Sequence, residues 1–297
     1  MVTGGRALSY VLTQTFNGAV NGAFYALLAL GLSIIFGMLR VVNFAHGVMY
    51  MLGAFAAYYG AQLIGLPFFA ALIVAPIVVA VIGVVMEFTL LRRLYGLDPI
   101  YNLLLTFAIT LVVVDLMRLI FGALGSPYSA PAQLSGIIDL GFGPYPTYRV
   151  FAILVSLAVC FIVWYLIERT PLGSRIRAAT ENPVLTRAFG INVPLLVTLT
   201  FGFGVALAAF AGVLAAPMTN VEPAMGEKII INTFAIVVIG GMGSIAGSIL
   251  TGFVLGIIQV IAALWFAQLS DTAIFILMVI VLLIRPWGLF GKAETAL

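Results

Sequence analysis

Residues 168–192 read ERTPLGSRIRAATENPVLTRAFGIN, a polar island in a chain that is otherwise soluble in hydrocarbon. The island holds four of the thirteen basic residues, Arg169, Arg175, Arg177 and Arg187. It is the longest polar segment able to fold outside the bilayer and meet a soluble partner. Its local chemistry predicts two short helices. At Thr170–Pro171 the hydroxyl can accept an orphan amide hydrogen bond, while proline lacks the amide that would go unpaired. Asn182–Pro183 repeats the signal, because a residue before proline is pushed out of helical geometry, and Gly190 supplies a left-handed stop. The first helix therefore ends near Glu181. Leu172, Ile176 and Ala179 share one of its faces at spacings of four and three, with Arg175 and Arg177 off that face. Such a helix can lie on a membrane surface or dock in a partner's groove. A plain cytoplasmic loop made basic by the positive-inside rule would have the same composition.

Composition restricts the class. Of the 297 residues, 64% are hydrophobic and 8% charged, against about a quarter charged in soluble domains. The expectation is an all-α, polytopic helical membrane protein forming a single transmembrane unit over residues 1–297. The net charge of +3 comes from loop arginines, so no nucleic-acid partner is implied. Cys160 and His46 are the lone cysteine and histidine. One imidazole and one thiol cannot build a multi-ligand metal site or a catalytic triad, so neither metal, cofactor nor enzymatic chemistry is expected. Arg6 and the apolar run behind it lack a small-residue cleavage site and read as a retained first helix.

Spans need about 20 apolar residues each. They fall near Leu8–Phe36, Val42–Ile64, Phe68–Leu91, Ile100–Phe121, Val150–Ile167, Val193–Ala216, Ile229–Ile239, Ala246–Ala267 and Thr272–Ile284. The seventh and ninth are short enough to be broken or re-entrant, so the expected count is about nine, within eight to ten. Arginines close to span ends set the orientation. Arg92 with Arg93, the 168–192 island, and Arg285 with Lys292 should be cytoplasmic. The 122–149 segment, with four prolines, five glycines and a single arginine, should then be periplasmic, as should 217–228. Arg40 falls inside and the N-terminus outside. GLFGKA near the C-terminus is too short for a phosphate-binding loop and has no hydroxyl residue after Lys292, so any ATP must bind another chain.

Few polar residues lie within spans. Asp115 and Arg118, three apart on the fourth span, can pair near its outer end. Glu87 at the inner end of the third reads first as an anchor for Arg92 or Arg93. Asn43 and His46 open the second span and could cap it or line a path; plain capping by Asn43 is the simpler reading, and His46 is expected near an interface. Asn17, Asn21, Asn232 and Gln259 suit interhelical hydrogen bonds worth about 1 kcal/mol or less each.

The island, VVNFAHGVMYMLGAF (41–55), VVIGGMGSIAGSILTG (237–252) and IRPWGLFG (284–291) together resemble the branched-chain amino acid ABC transporter permeases of the LivH type. The resemblance covers almost the whole chain, with its motifs in order. It implies a type II ABC importer-like permease fold in the bacterial inner membrane. It also implies half of a translocation pathway completed by a LivM-like sister permease or a second copy. The implied partners are two ATP-binding subunits on the cytoplasmic side and a periplasmic substrate-binding protein. RAATENPVLTRAFGIN is similar to the family's cytoplasmic coupling loop, although it lacks the consecutive Glu-Ala-Ala of the loop in other importers. The docking role carries over to Arg175, Arg177, Ala179, Glu181, Asn182, Ala188 and Gly190 as a segment; Asn43, His46 and Asn232 are pathway candidates. The implied solute is leucine, isoleucine or valine, with urea or short amides as the near alternative. A secondary transporter or channel is the alternative from another class, and the scarcity of intramembrane carboxylates stands against it.

Overall fold

The computed structural model describes residues 2–39, 41–265, 267 and 270–291. Arg40 and Lys292, two of the orientation markers, lie outside the described residues. The helices are α1 (Val2–Leu39), α2 (Ala45–Ile64), α3 (Phe68–Thr89), α4 (Pro99–Phe121), α5 (Thr147–Arg169), α6 (Pro171–Glu181), α7 (Pro183–Ala188), α8 (Val193–Ala215), α9 (Met225–Gly240), α10 (Ile245–Trp265) and α11 (Ser270–Ile284). The all-α expectation holds. Among the described residues six helices are long and apolar enough to cross a membrane: α1, α3, α4, α5, α8 and α10. The expected nine spans are therefore not all supported by length and composition. The second expected span carries His46, Gln62 and three tyrosines and is helical only from Ala45, while α9 and α11 have 16 and 15 residues.

Lipid gives no hydrophobic drive between helices, so the bundle is closed by small residues that let backbones meet. Along the α1–α10 seam a Cβ added to Gly256 would lie 2.3 Å from the Gly22 nitrogen. The central helices α1, α2 and α8 bury long runs of side chains, including Ala26–Leu30 and Val213–Ala216 with no exposed surface. By contrast α3, α4 and α5 leave Ile73, Ile77, Leu104, Leu119 and Phe161 exposed on their outer faces, as a lipid-facing surface requires.

Two sets of loops gather at opposite ends. At one end Arg92, in the 3₁₀ turn Leu91–Leu94, reaches the Pro194 carbonyl at the start of α8. There Phe290 N–H donates to the Gly240 carbonyl at 3.1 Å, so the segment after α11 folds back beside the α9–α10 turn. At the other end β1 (Ser126–Pro127) pairs antiparallel with β4 (Asn220–Val221), joining the 122–149 and 217–228 segments. A hairpin of β2 (Ile137–Asp139) and β3 (Pro144–Pro146) stands beside them. Tyr145 on β3 donates to Asn17 Oδ1 at 2.8 Å, placing the first half of α1 at this end.

Candidate functional site

The island folds as two capped helices. Thr170 Oγ1 accepts from Leu172 N–H at 3.3 Å, and Asn182 Oδ1 accepts from Leu185 N–H at 2.9 Å. Asn192 repeats the device for α8, accepting from Leu195 N–H at 3.1 Å. Gly190 has φ +80° with open space around it, so its left-handed backbone, and not crowding, calls for glycine. The expected face is corrected by one residue: Gly173, Ile176 and Ala179 are buried, whereas Leu172 is 44% exposed. The reason is a close approach. A Cβ at Gly173 would lie 1.6 Å from the Ile167 carbonyl oxygen, so α6 seats its glycine on the end of α5.

Arg177 turns back toward the bundle, donating to the Ile167 carbonyl at 3.1 Å with Glu168 at 3.6 Å. Arg175, Glu181, Asn182, Ala188 and Gly190 are exposed, and Ala179 is buried. The sequence reading missed three side chains. Val184, Leu185 and Phe189 are 75%, 54% and 78% exposed on α7 and its end. Apolar residues inside a polar island were the available signal.

Next to this element Glu87 is fully buried, and both its oxygens are met. Arg92 donates to Oε1 and Oε2, each at 3.3 Å, Tyr95 Oη donates to Oε1 at 2.9 Å and Thr198 Oγ1 donates to Oε2 at 2.8 Å. Burial first, and the Glu87 carboxylate second, raise the Tyr95 hydroxyl far above its ordinary range, so it remains a donor. Glu87 is thus an anchor joining α3 to α8, four residues after the α8 proline. Asp115 and Arg118 pair at 3.2 Å, and Arg118 also lies 3.7 Å from Glu227 on α9.

No hydrogen bond joins the pathway candidates to one another among the described residues. His46 has no exposed surface and its Nε2 donates to the Leu28 carbonyl at 3.2 Å. Leu28 is eleven residues from the end of α1, so His46 is enclosed within the bundle and is not exposed as an interfacial position would leave it. Asn43 does not cap α2 by its side chain: Phe44 occupies that position, and the buried Asn43 amide has no protein partner among the described residues. Asn232 donates to Tyr25 Oη at 3.2 Å; Tyr25 donates to Gln259 Oε1 at 2.9 Å, and Gln259 to Asp271 at 2.6 Å.

Tyr25 also borders a cavity of about 430 Å³ at the end opposite the island. Its lining mixes polar Asn17, Asn21, Arg149 and Thr219 with apolar Val20, Phe24, Ile229 and Val260. Neither Asn43 nor His46 lines it. The arrangement offers an amphipathic chamber at one end and a two-helix element with exposed apolar side chains at the other, with no cluster of three potential metal ligands among the described residues.

A family model described as "Branched-chain amino acid transport system / permease component" matches residues 14–282. The high-affinity branched-chain amino acid transport system permease protein BraD of Pseudomonas aeruginosa is 31% identical over 300 residues, 96% of this chain and 97% of that one. LivH of Escherichia coli K12 is 27% identical over 304 residues, again 96% and 97% of the two chains. LivM of the same organism, a permease protein of the same system, is 26% identical over 92% of this chain and 69% of its own length. A solved structure, PsaBC from Streptococcus pneumoniae in complex with Fab, aligns over 90% of this chain and 89% of that one with a TM-score of 0.49 and 12% identity, too distant to argue from. A multi-pass helical bundle, a family model running through nearly all of it and relatives matched end to end place this chain in the branched-chain amino acid transport system permease family.

Proposed function

We propose that the chain is the transmembrane permease subunit of an ATP-driven, binding-protein-dependent importer of branched-chain amino acids in a bacterial inner membrane. The observation that carries this reading is the α6–α7 element. It is capped at both starts, seated on α5 through Gly173 and Arg177, and it presents Val184, Leu185 and Phe189 outward. Uncovered apolar side chains of this size, rimmed by Arg175 and Arg187, fit a groove on a soluble partner better than they fit water. The sequence has no phosphate-binding loop, so that partner is an ATP-binding subunit, two of them serving a permease pair.

In this reading 168–192 is cytoplasmic, and 122–149 and 217–228 are periplasmic, where a substrate-binding protein delivers the solute. The similarity to LivM as well as LivH supports a sister permease as the second half of the pathway. A docked element joined to α5 by Gly173 and to α8 by the Asn192 cap can pass the closure of the ATP-binding subunits to the bundle and bias it between two access states.

Replacing Phe189 and Val184 together by glutamate tests the docking surface. Co-purification with the ATP-binding subunit should fall at least about tenfold, since truncated interface anchors commonly cost 2 kcal/mol or more. Insertion into the membrane should be unchanged. Full retention of the complex by this variant would remove the observation on which the reading stands.

A further inference from the structure

The cavity beside the outer half of α1 contains a cation already held in place. Arg149 is the one charged side chain in its lining, and among the described residues no carboxylate lies within ion-pair distance of it. Its Nη1 donates to Asn17 Oδ1 at 2.6 Å, and its guanidinium carbon sits 5.9 Å from the Tyr145 ring centroid. Asn17 is fixed in turn, since its Oδ1 also accepts from the Tyr145 hydroxyl and its Nδ2 donates to Gln14 Oε1 at 3.1 Å.

An arginine that served only to anchor α5 at the membrane surface would extend toward the headgroups. Arg149 instead turns inward to a residue 132 positions away on α1. One N–H of its fork is occupied by Asn17, which leaves donors spaced for a planar carboxylate. Holding the fork in advance removes much of the ordering cost of binding. Val20, Phe24, Ile229 and Val260 supply apolar surface in the same lining.

We propose that Arg149 reads the carboxylate of a small apolar α-amino acid passing through this cavity, with the solute's side chain toward Val20, Phe24, Ile229 and Val260. The inference rests on the import reading above and names the group that recognises the solute. The lining holds no carboxylate, so the ammonium end meets only neutral acceptors such as Asn21 and Thr219. Discrimination therefore falls on the carboxylate. A solute with the same side chain and an amide at that end loses the charge-assisted bonds and faces a like charge.

The test uses the assembled transporter in lipid, with its ATP-binding subunits, sister permease and binding protein. Arg149→Gln should lower uptake of labelled leucine at least about tenfold, and Arg149→Lys should recover only part of it, because the charge returns without the planar fork. ATP hydrolysis stimulated by the loaded binding protein should stay within about twofold in both variants, separating recognition from assembly. Unchanged uptake by Arg149→Gln overturns the proposal. Loss of uptake and stimulated hydrolysis together in both variants also overturns it, making Arg149 a structural prop. A second measurement needs neither ATP nor binding protein: saturation-transfer NMR of the transporter in nanodiscs with leucine or leucinamide. Leucine should give a signal that Arg149→Gln abolishes and leucinamide should give none; equal signals overturn the proposal. If the wild-type transporter fails to import leucine, the import reading has failed, and the NMR comparison alone decides the chemistry of the cavity.

Discussion

A carboxylate with no exposed surface is tolerable only while its oxygens are met. Glu87, on α3, meets that condition through Arg92 and Tyr95 in and just after the 3₁₀ turn that follows and through Thr198 on α8. Glu87→Ala would leave Arg92, two-thirds buried, without its carboxylate partner and strand the Tyr95 hydroxyl, while Thr198 keeps the Pro194 carbonyl. The expected cost is about 3 kcal/mol, read as a lower thermal midpoint of the detergent-solubilised protein, and Glu87→Gln should lose less. A midpoint unchanged in Glu87→Ala would mean that the anchor carries no stability. How much of this was legible follows sequence distance. Arg92 is five residues from Glu87 and could be named from the sequence. Thr198, 111 residues away, could not, because only the packing of α8 on α3 brings it there. Arg149 was likewise seen as a single arginine in a loop, and its bond to Asn17 waited on the fold.

The caps of the island are local chemistry, so Thr170, Asn182 and Gly190 were readable in place, and the structure puts helix boundaries where they stand. The face of α6 was not, because a helical period identifies a stripe without saying which neighbour it meets. The neighbour is the α5 terminus, and its carbonyl admits only Gly173. Likewise Asn43 looked like a cap because its residue type suits one; the chain there has no regular structure over Val41–Asn43 and starts α2 later. Two substitutions separate seating from stopping. Gly173→Ala should push α6 off α5, since the added methyl falls on the Ile167 oxygen. Gly190→Val should strain a left-handed backbone by about 1–2 kcal/mol without any clash. Both should reduce uptake per ATP hydrolysed while leaving insertion intact, with Gly173→Ala the more severe. Coupled transport at the normal ratio in Gly173→Ala would show that the seating of α6 on α5 is not how the element is held.

At the scale of the whole molecule the arginines had sorted the loops before any coordinates did. The structure gathers Arg92, the island and the α9–α10 turn at one end, and joins 122–149 to 217–228 at the other. What the sequence could not supply was span number. A stretch such as 42–64 has the length of a span while its first residues are not helical, and lipid tolerates such backbone only when protein surrounds it. Cys160 is buried, so added cysteines can report sidedness against a quiet background. Ser135→Cys should react with an impermeant maleimide in intact cells. Ala188→Cys should react only after permeabilisation; the reverse pattern would invert the proposed orientation. The central claim is met most directly by uptake of labelled leucine into vesicles containing this chain, with ATP, the ATP-binding subunits, the sister permease and the binding protein each omitted in turn. Uptake that collapses on every omission is the result this account predicts, and uptake by the chain alone, indifferent to ATP, would contradict it.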